Sequence, residues 1–256
     1  MMLTFEQWLY ALAPPLTLVA AGGVAAFYPP KPWMRGAILH LAAGVVFSVV
    51  AVELIPDLLR DHRPIETAVG FSLGVASMFG IRRLTTKKEE EEDKAQENSS
   101  RSPAAAGDTA HPKLPMGMLA GVAVDLVVDG FMIGIGFAAG AKEGRLLAVA
   151  LGVELVSLGL AVSASLGKLG IGRARSIRVL AVLSLGFMVG AVVGMALLSR
   201  LSTHWLAGVL AFGAAALLFL VTEELLTEAH EEEESPALTA MFFVGFLAFL
   251  ILGMLT

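Results

Sequence analysis

Residues 114–141 read LPMGMLAGVAVDLVVDGFMIGIGFAAGA, an apolar run of 28 residues broken only by Asp125 and Asp129. A stretch of about 20 apolar residues spans the hydrocarbon core of a bilayer as a helix. The rest of the chain agrees with this segment. Over 256 residues the composition is 56% hydrophobic and 16% charged, and the mean hydropathy is +0.76. Soluble domains hold about 45–50% apolar and about 25% charged residues. These values exclude a disordered chain and an ordinary cytosolic enzyme, and nothing in them points to nucleic acid. The expectation is an all-α integral membrane protein.

Apolar runs bounded by charge, Pro or Gly predict eight spanning helices: Glu6–Tyr28, Gly36–Leu59, Glu66–Ile81, Leu114–Ala141, Leu146–Leu169, Ile177–Leu198, Thr203–Thr227 and Pro236–Leu255. The alternation of a β-barrel is missing. The first ten residues, MMLTFEQWLY, lack the basic stretch of a secretory signal, so the first span is expected to be retained. The organisation expected is helices 1–3 over residues 1–84, a cytoplasmic acidic flexible loop over 85–113, and helices 4–8 over 114–256. The loop reads TTKKEEEEDKAQENSSRSPAAAGDTAHP over residues 85–112, too polar to bury a core. It is a solvated linker or a loose cation attractor, and its one histidine, His111, is too few for a metal-trapping tract.

Lys and Arg in the connections divide 13 against 5, accounting for all 18. Cytoplasmic loops carry the excess of these residues, which places both termini outside the cytoplasm, in a cell (inner) membrane. The acidic run Glu231–Glu234 then falls on the cytoplasmic side. There is no cysteine, so thiolate ligands are excluded. Gly186, Gly190 and Gly194 recur every four residues and form one flat helix face for packing, within the chain or in a homodimer.

The chemistry is expected where the sequence accepts charge inside the membrane, at about 2.5–3.5 kcal/mol per carboxylate on insertion scales. The second span carries Glu53 and Asp57 around Pro56. The fourth carries Asp125 and Asp129, the fifth Glu154, and the seventh Glu223, Glu224 and Glu228, with His230 at its end. Glu53 with Asp57, and Asp125 with Asp129, are four residues apart and share a helix face. Like charges stacked in this way call for a bound cation or a shared proton, and no Lys or Arg stands near the centre of any span. Glu228, His230 and Glu231–Glu234 also read as a solvated helix end, and Asp57 as a residue reaching water beside Arg60. Ser157, one turn from Glu154, is either a hydroxyl ligand or a packing serine. Pro56 removes a helical hydrogen bond and frees a carbonyl oxygen, a ligand type suited to divalent cations.

These residues resemble the ZIP (Zrt/Irt-like) family of divalent metal transporters over essentially the whole chain. Asp125-Leu126-Val127-Val128-Asp129-Gly130 is similar to the family's His-Asn-x-x-(Asp/Glu)-Gly in the fourth helix. Glu154-Leu155-Val156-Ser157-Leu158-Gly159 stands where the family's fifth-helix motif ends in Pro-Glu-Gly. Glu223-Glu224-Leu225-Leu226-Thr227-Glu228-Ala229-His230 is similar to EELLPEAH, and Glu53-Leu54-Ile55-Pro56-Asp57 to His-x-x-Pro-(Asp/Glu). The resemblance implies an eight-helix bundle that moves zinc, manganese, iron or similar ions toward the cytoplasm. It implies one site of Asp125, Asp129 and Glu154 between helices 4 and 5. Glu53 and Asp57 would guide metal on the outer side, and Glu223, Glu224, Glu228 and His230 would receive it on the inner side. The metal is then the transported substrate, with no prosthetic group and no catalytic residue, and the partners are the bilayer and a second copy of the chain. Asp125 replaces a histidine and Leu158 a bridging glutamate, which implies the loss of a second metal position and a harder-ion preference. Two other functions stay open: proton-coupled transport of another solute, and a non-transporting ZIP-derived sensor or regulatory protein.

Overall fold

The structure, a computed structural model, describes residues 5–100, 114–198, 203–230 and 235–255, with side chains described for all of these except 88–100, 203 and 204. Eight helices are long and apolar enough to cross a membrane: α1 Phe5–Phe27, α2 Pro32–Asp61, α3 with its apolar part at Pro64–Lys87, α4 Met116–Ala139, α5 Ala141–Lys168, α6 Arg173–Leu198, α7 Trp205–Ala229 and α8 Pro236–Leu255. No strand occurs among the described residues. The chain is an all-α bundle of membrane-spanning character, with each expected span in place.

One boundary differs markedly from expectation. The span expected to be shortest, Glu66–Ile81, lies in the longest helix, since α3 continues from Pro64 to Ser100. Residues 85–100 are therefore helical where a flexible loop was expected. They are polar, but Lys, Glu, Gln and Ala are strong helix formers, and a helix already nucleated in the bilayer extends through them one hydrogen bond per residue. Residues 101–113, with His111, lie outside the described residues, as do Glu231–Glu234.

Helices that cannot use the hydrophobic effect against one another in lipid associate through close backbone packing at small residues. This bundle does so in four pairs: α1 with α5, α2 with α8, α3 with α7 and α4 with α6. Each pair meets where a glycine lies against a carbonyl oxygen of its partner: Gly159 on Leu18, Gly44 on Phe242, Gly70 on Gly208, and Gly190 on Val127. The reciprocal contacts of Gly245 on Leu41 and Gly130 on Phe187 close the second and fourth pairs. The α6 glycine face is thus an internal seam. A β-carbon on Gly194 would stand 2.8 Å from the Phe131 carbonyl oxygen, whereas one on Gly186 would stand 3.5 Å from that of Ala123. α4 also packs against α3, α5 and α7, and α2 against α5, so the acidic faces of α4 and α5 lie inside the bundle.

Two helices widen where they carry acids. α2 has a π turn at Val50–Leu54, in which the Ile55 N–H reaches back to the Val50 carbonyl. Pro56, with no N–H to give, follows at once. α7 has a π turn at Leu220–Leu225, in which the Leu226 N–H reaches the Val221 carbonyl. No proline stands there. Instead the Thr222 hydroxyl donates to the Leu218 carbonyl at 2.9 Å and the Thr227 hydroxyl to the Thr222 carbonyl at 3.3 Å. Such turns often mark functional positions.

The glycine seam yields a graded prediction. Gly190→Ala should lower stability by about 1–3 kcal/mol, because backbone must move to admit the methyl, while Gly186→Ala should be tolerated. Thermal unfolding of the two variants in detergent, followed by size-exclusion chromatography, measures the difference. Equal stability of the two would show that α4 and α6 do not pack on this face.

Candidate metal centre

Asp125 and Asp129 lie one turn apart on α4, and Glu154 lies on α5. A single residue, Gly140, with extended backbone at φ 172°, joins the two helices and closes them into a tight hairpin. The sharp return places the acidic face of α4 against Glu154. Each of the three residues offers a carboxylate oxygen, and these oxygens all lie within 4.8 Å of one another. Oxygens sharing one divalent ion at about 2.0–2.6 Å are at most about 4–5 Å apart, so the spacing fits a single ion.

Burial makes the arrangement costly without a counter-charge. Asp129 and Glu154 are each 2% exposed, and Asp125 is half-buried. Asp129 Oδ2 and Glu154 Oε2 are fully enclosed without a hydrogen-bond partner among the described residues. Two ionised carboxylates at this separation repel by about 3 kcal/mol at an effective dielectric constant of about 20. A divalent cation, or protons, would remove that repulsion. The donor set is all oxygen, which suits hard ions such as manganese, magnesium or calcium better than thiolate or imidazole sites do.

A cleft of about 360 Å³ runs from Asp125 to the acids of α7, bordered by Arg82, Thr85, Glu223, Glu224 and Glu228. It gives the centre a polar route to one end of the bundle. The acids along it are not equivalent. Arg82 pairs with Glu223, and Arg35 with Glu228 at 3.0 Å. Glu224, half-buried, lines the cleft together with Asp125. His230 is exposed at the end of α7. Its Nδ1 donates to the Leu226 carbonyl, and its ring packs on that of His40 with centroids 5.8 Å apart. Ser157 is buried, and its hydroxyl donates to the Glu154 carbonyl at 2.6 Å, a local helix bond that leaves only oxygen lone pairs for a ligand.

Glu53 and Asp57 do not join the centre. Glu53, on the π turn of α2, is buried and has a basic partner that the expectation of cation-free acids missed: Lys142 Nζ stands 3.7 Å from Glu53 Oε1. Lys142 falls in the first turn of α5, and in the folded bundle its long side chain reaches inward, as amphipathic side chains do. Gly253 of α8 makes room for this pair, since a β-carbon there would stand 2.9 Å from Glu53 Oε1. Asp57 is paired with the exposed Arg60 at 3.4 Å. Sequence reading also missed the arginine partners of Glu223 and Glu228. Arg82 and Arg35 lie far from them in sequence, and only the folded pairing of α3 and α2 with α7 brings them together.

The chain matches none of the protein-family models and none of the curated proteins with which it was compared.

Removing one partner of a mostly buried ion pair leaves a charge unsatisfied, at about 1–3 kcal/mol. Lys142→Met should therefore lower thermal stability in detergent by about that much, and adding Glu53→Gln should recover most of the loss. Tryptophan fluorescence melting reports both values. A double variant no more stable than Lys142→Met alone would show that the two side chains are not coupled.

Proposed function

We propose that the chain is a membrane transporter of divalent metal cations, bound in passage by Asp125, Asp129 and Glu154 between α4 and α5 and moved toward the cytoplasm. The observation that carries this reading is the convergence of three carboxylates, two of them almost wholly buried, with no described lysine or arginine paired to any of them. A structural acid in a membrane helix ordinarily finds a basic partner or reaches water, and Glu53, Asp57, Glu223 and Glu228 do so. The three at the centre are left for a mobile positive charge. The resemblance to the ZIP family supports the same reading through the α4, α5 and α7 motifs, and makes this chain a divergent relative in its ligand set. The acid-lined cleft supplies a route from the centre to one end of the bundle, which is what a transported ion requires and a purely structural ion does not.

Uptake of manganese and zinc into proteoliposomes tests the reading. Asp129→Asn should lower uptake about tenfold or more, the scale on which loss of a metal-site group acts. Glu228→Gln should lower it less than twofold, because Glu228 is held by Arg35 at the rim of the cleft. Equal uptake by Asp129→Asn and the parent would remove Asp129 from the site. Proton flux without metal flux would favour a carboxylate proton relay, and silence of the parent protein would favour a sensor.

Ion choice gives a second, independent test. Asp125→His would replace one hard oxygen ligand by imidazole nitrogen, which suits zinc, and would remove one negative charge beside Asp129. The zinc-to-manganese uptake ratio in competition should rise severalfold. If the ratio is unchanged or falls, Asp125 does not touch the ion.

A further inference from the structure

The α4–α6 seam is closed by Gly130, Gly134, Gly190 and Gly194, and loosens at Gly186 and Ala123. The two helices run parallel, so both begin on the same side of the bundle. Between their first turns and the loosened point they diverge, leaving a groove of about 490 Å³. That is a volume in the range of small-ligand sites. Its walls are apolar, with Leu119 and Ala123 from α4 and Val179 and Leu183 from α6, and its rim carries Arg175 and Arg178. Among the described residues no acidic side chain lines it.

The charge at this rim runs against local helix electrostatics. A helix N-terminus carries about half a positive charge and favours acidic neighbours. Here neither α4 nor α6 has an acidic residue in its first turn, and α6 adds two arginines to the groove. Arg175 is half-buried and Arg178 exposed, one turn apart on the groove face. The neighbouring Arg173 is turned elsewhere, over the Phe27 ring at 5.0 Å from its centroid. Two parallel helix N-termini and two guanidinium groups converge on one place, directly above an apolar slot.

We propose that this groove is a binding site for an anionic phospholipid, with the headgroup phosphodiester held between Arg175 and Arg178 and one acyl chain lying along Leu119, Ala123, Val179 and Leu183. Arginine forks match phosphate oxygens two at a time, and basic pockets between membrane helices bind anionic headgroups. A soluble phosphate would satisfy the rim but not the slot; a neutral lipid would fill the slot but not the rim. Ala123 ends the groove two residues before Asp125, so the lipid is wedged against the same helix that carries the carboxylate centre. The inference does not depend on what that centre transports.

The test is lipid retention by the purified full-length protein after exchange against mixed vesicles of phosphatidylglycerol and phosphatidylcholine, read by native mass spectrometry. The parent should retain phosphatidylglycerol roughly tenfold or more over phosphatidylcholine. Arg175→Gln with Arg178→Gln should bring the ratio near one, while Arg175→Lys with Arg178→Lys should keep a clear preference. Ala120→Phe, which fills the groove and leaves both arginines, should also abolish retention. Equal retention of the two lipids by the parent overturns the proposal without recourse to any variant. Retention that survives Ala120→Phe places the lipid on the basic rim alone and overturns the groove. Displacement of the lipid by millimolar inorganic phosphate overturns it in favour of a soluble anion.

Discussion

Three carboxylates held together in an apolar bundle repel one another, and much of the molecule can be understood from how that repulsion is tolerated. Their positions are set by a hairpin with a one-residue link and by helices that cannot spread, because glycines lock α4 onto α6 and α1 onto α5. A looser bundle would relax the repulsion by letting the acids separate or by letting water in. Close glycine packing limits both around Asp129 and Glu154, where a divalent cation or shared protons would relieve the repulsion. Rigidity and charge here are two halves of one design, since protein interiors transmit strain rather than absorb it.

The other acids form a useful contrast. Glu53, Asp57, Glu223 and Glu228 each have a lysine or arginine in reach. These pairs sit toward the two ends of the bundle, where long basic side chains can enter from the interface. At the level of Asp129 and Glu154 no such side chain is found among the described residues. The gradient from satisfied to unsatisfied acids, from the ends toward the middle, sets the Asp125–Asp129–Glu154 cluster apart from the interfacial ion pairs. Glu224 stands between the two classes, on a π turn that rotates it toward the cleft.

Much of this was legible in the sequence. Helix number and position followed from apolar length, which the bilayer dictates directly, and the i, i+4 spacing of Asp125 and Asp129 put both on one face before any fold was known. Meeting Glu154 required only that adjacent helices form a hairpin. What was not legible depended on contacts distant along the chain. Lys142 reads as a loop residue until α5 is seen to begin at Ala141, and Arg82 and Arg35 acquire partners only through the pairing of helices. The π turns escaped because nothing in LVTEEL marks one: threonine hydroxyls at 222 and 227 do locally what a proline announces openly. The helical course of residues 85–100 was hidden by a composition typical of linkers, which says how a segment meets water but not whether its backbone is already committed by the helix before it.

The one-residue link at Gly140 bears on how the protein is made. α4 alone brings two carboxylates to the bilayer, at about 2.5–3.5 kcal/mol each near the middle, and α5 brings a third. Offered singly to the insertion machinery, each helix exposes its acids to lipid. Joined by one residue, they present themselves as a folded pair in which the acidic faces look at each other and the outer faces are apolar. Entry as a hairpin lets a proton or ion shared between them travel in from the start. The three carboxylates are then brought together as α4 and α5 enter, before α6–α8 follow in the chain to pack around them.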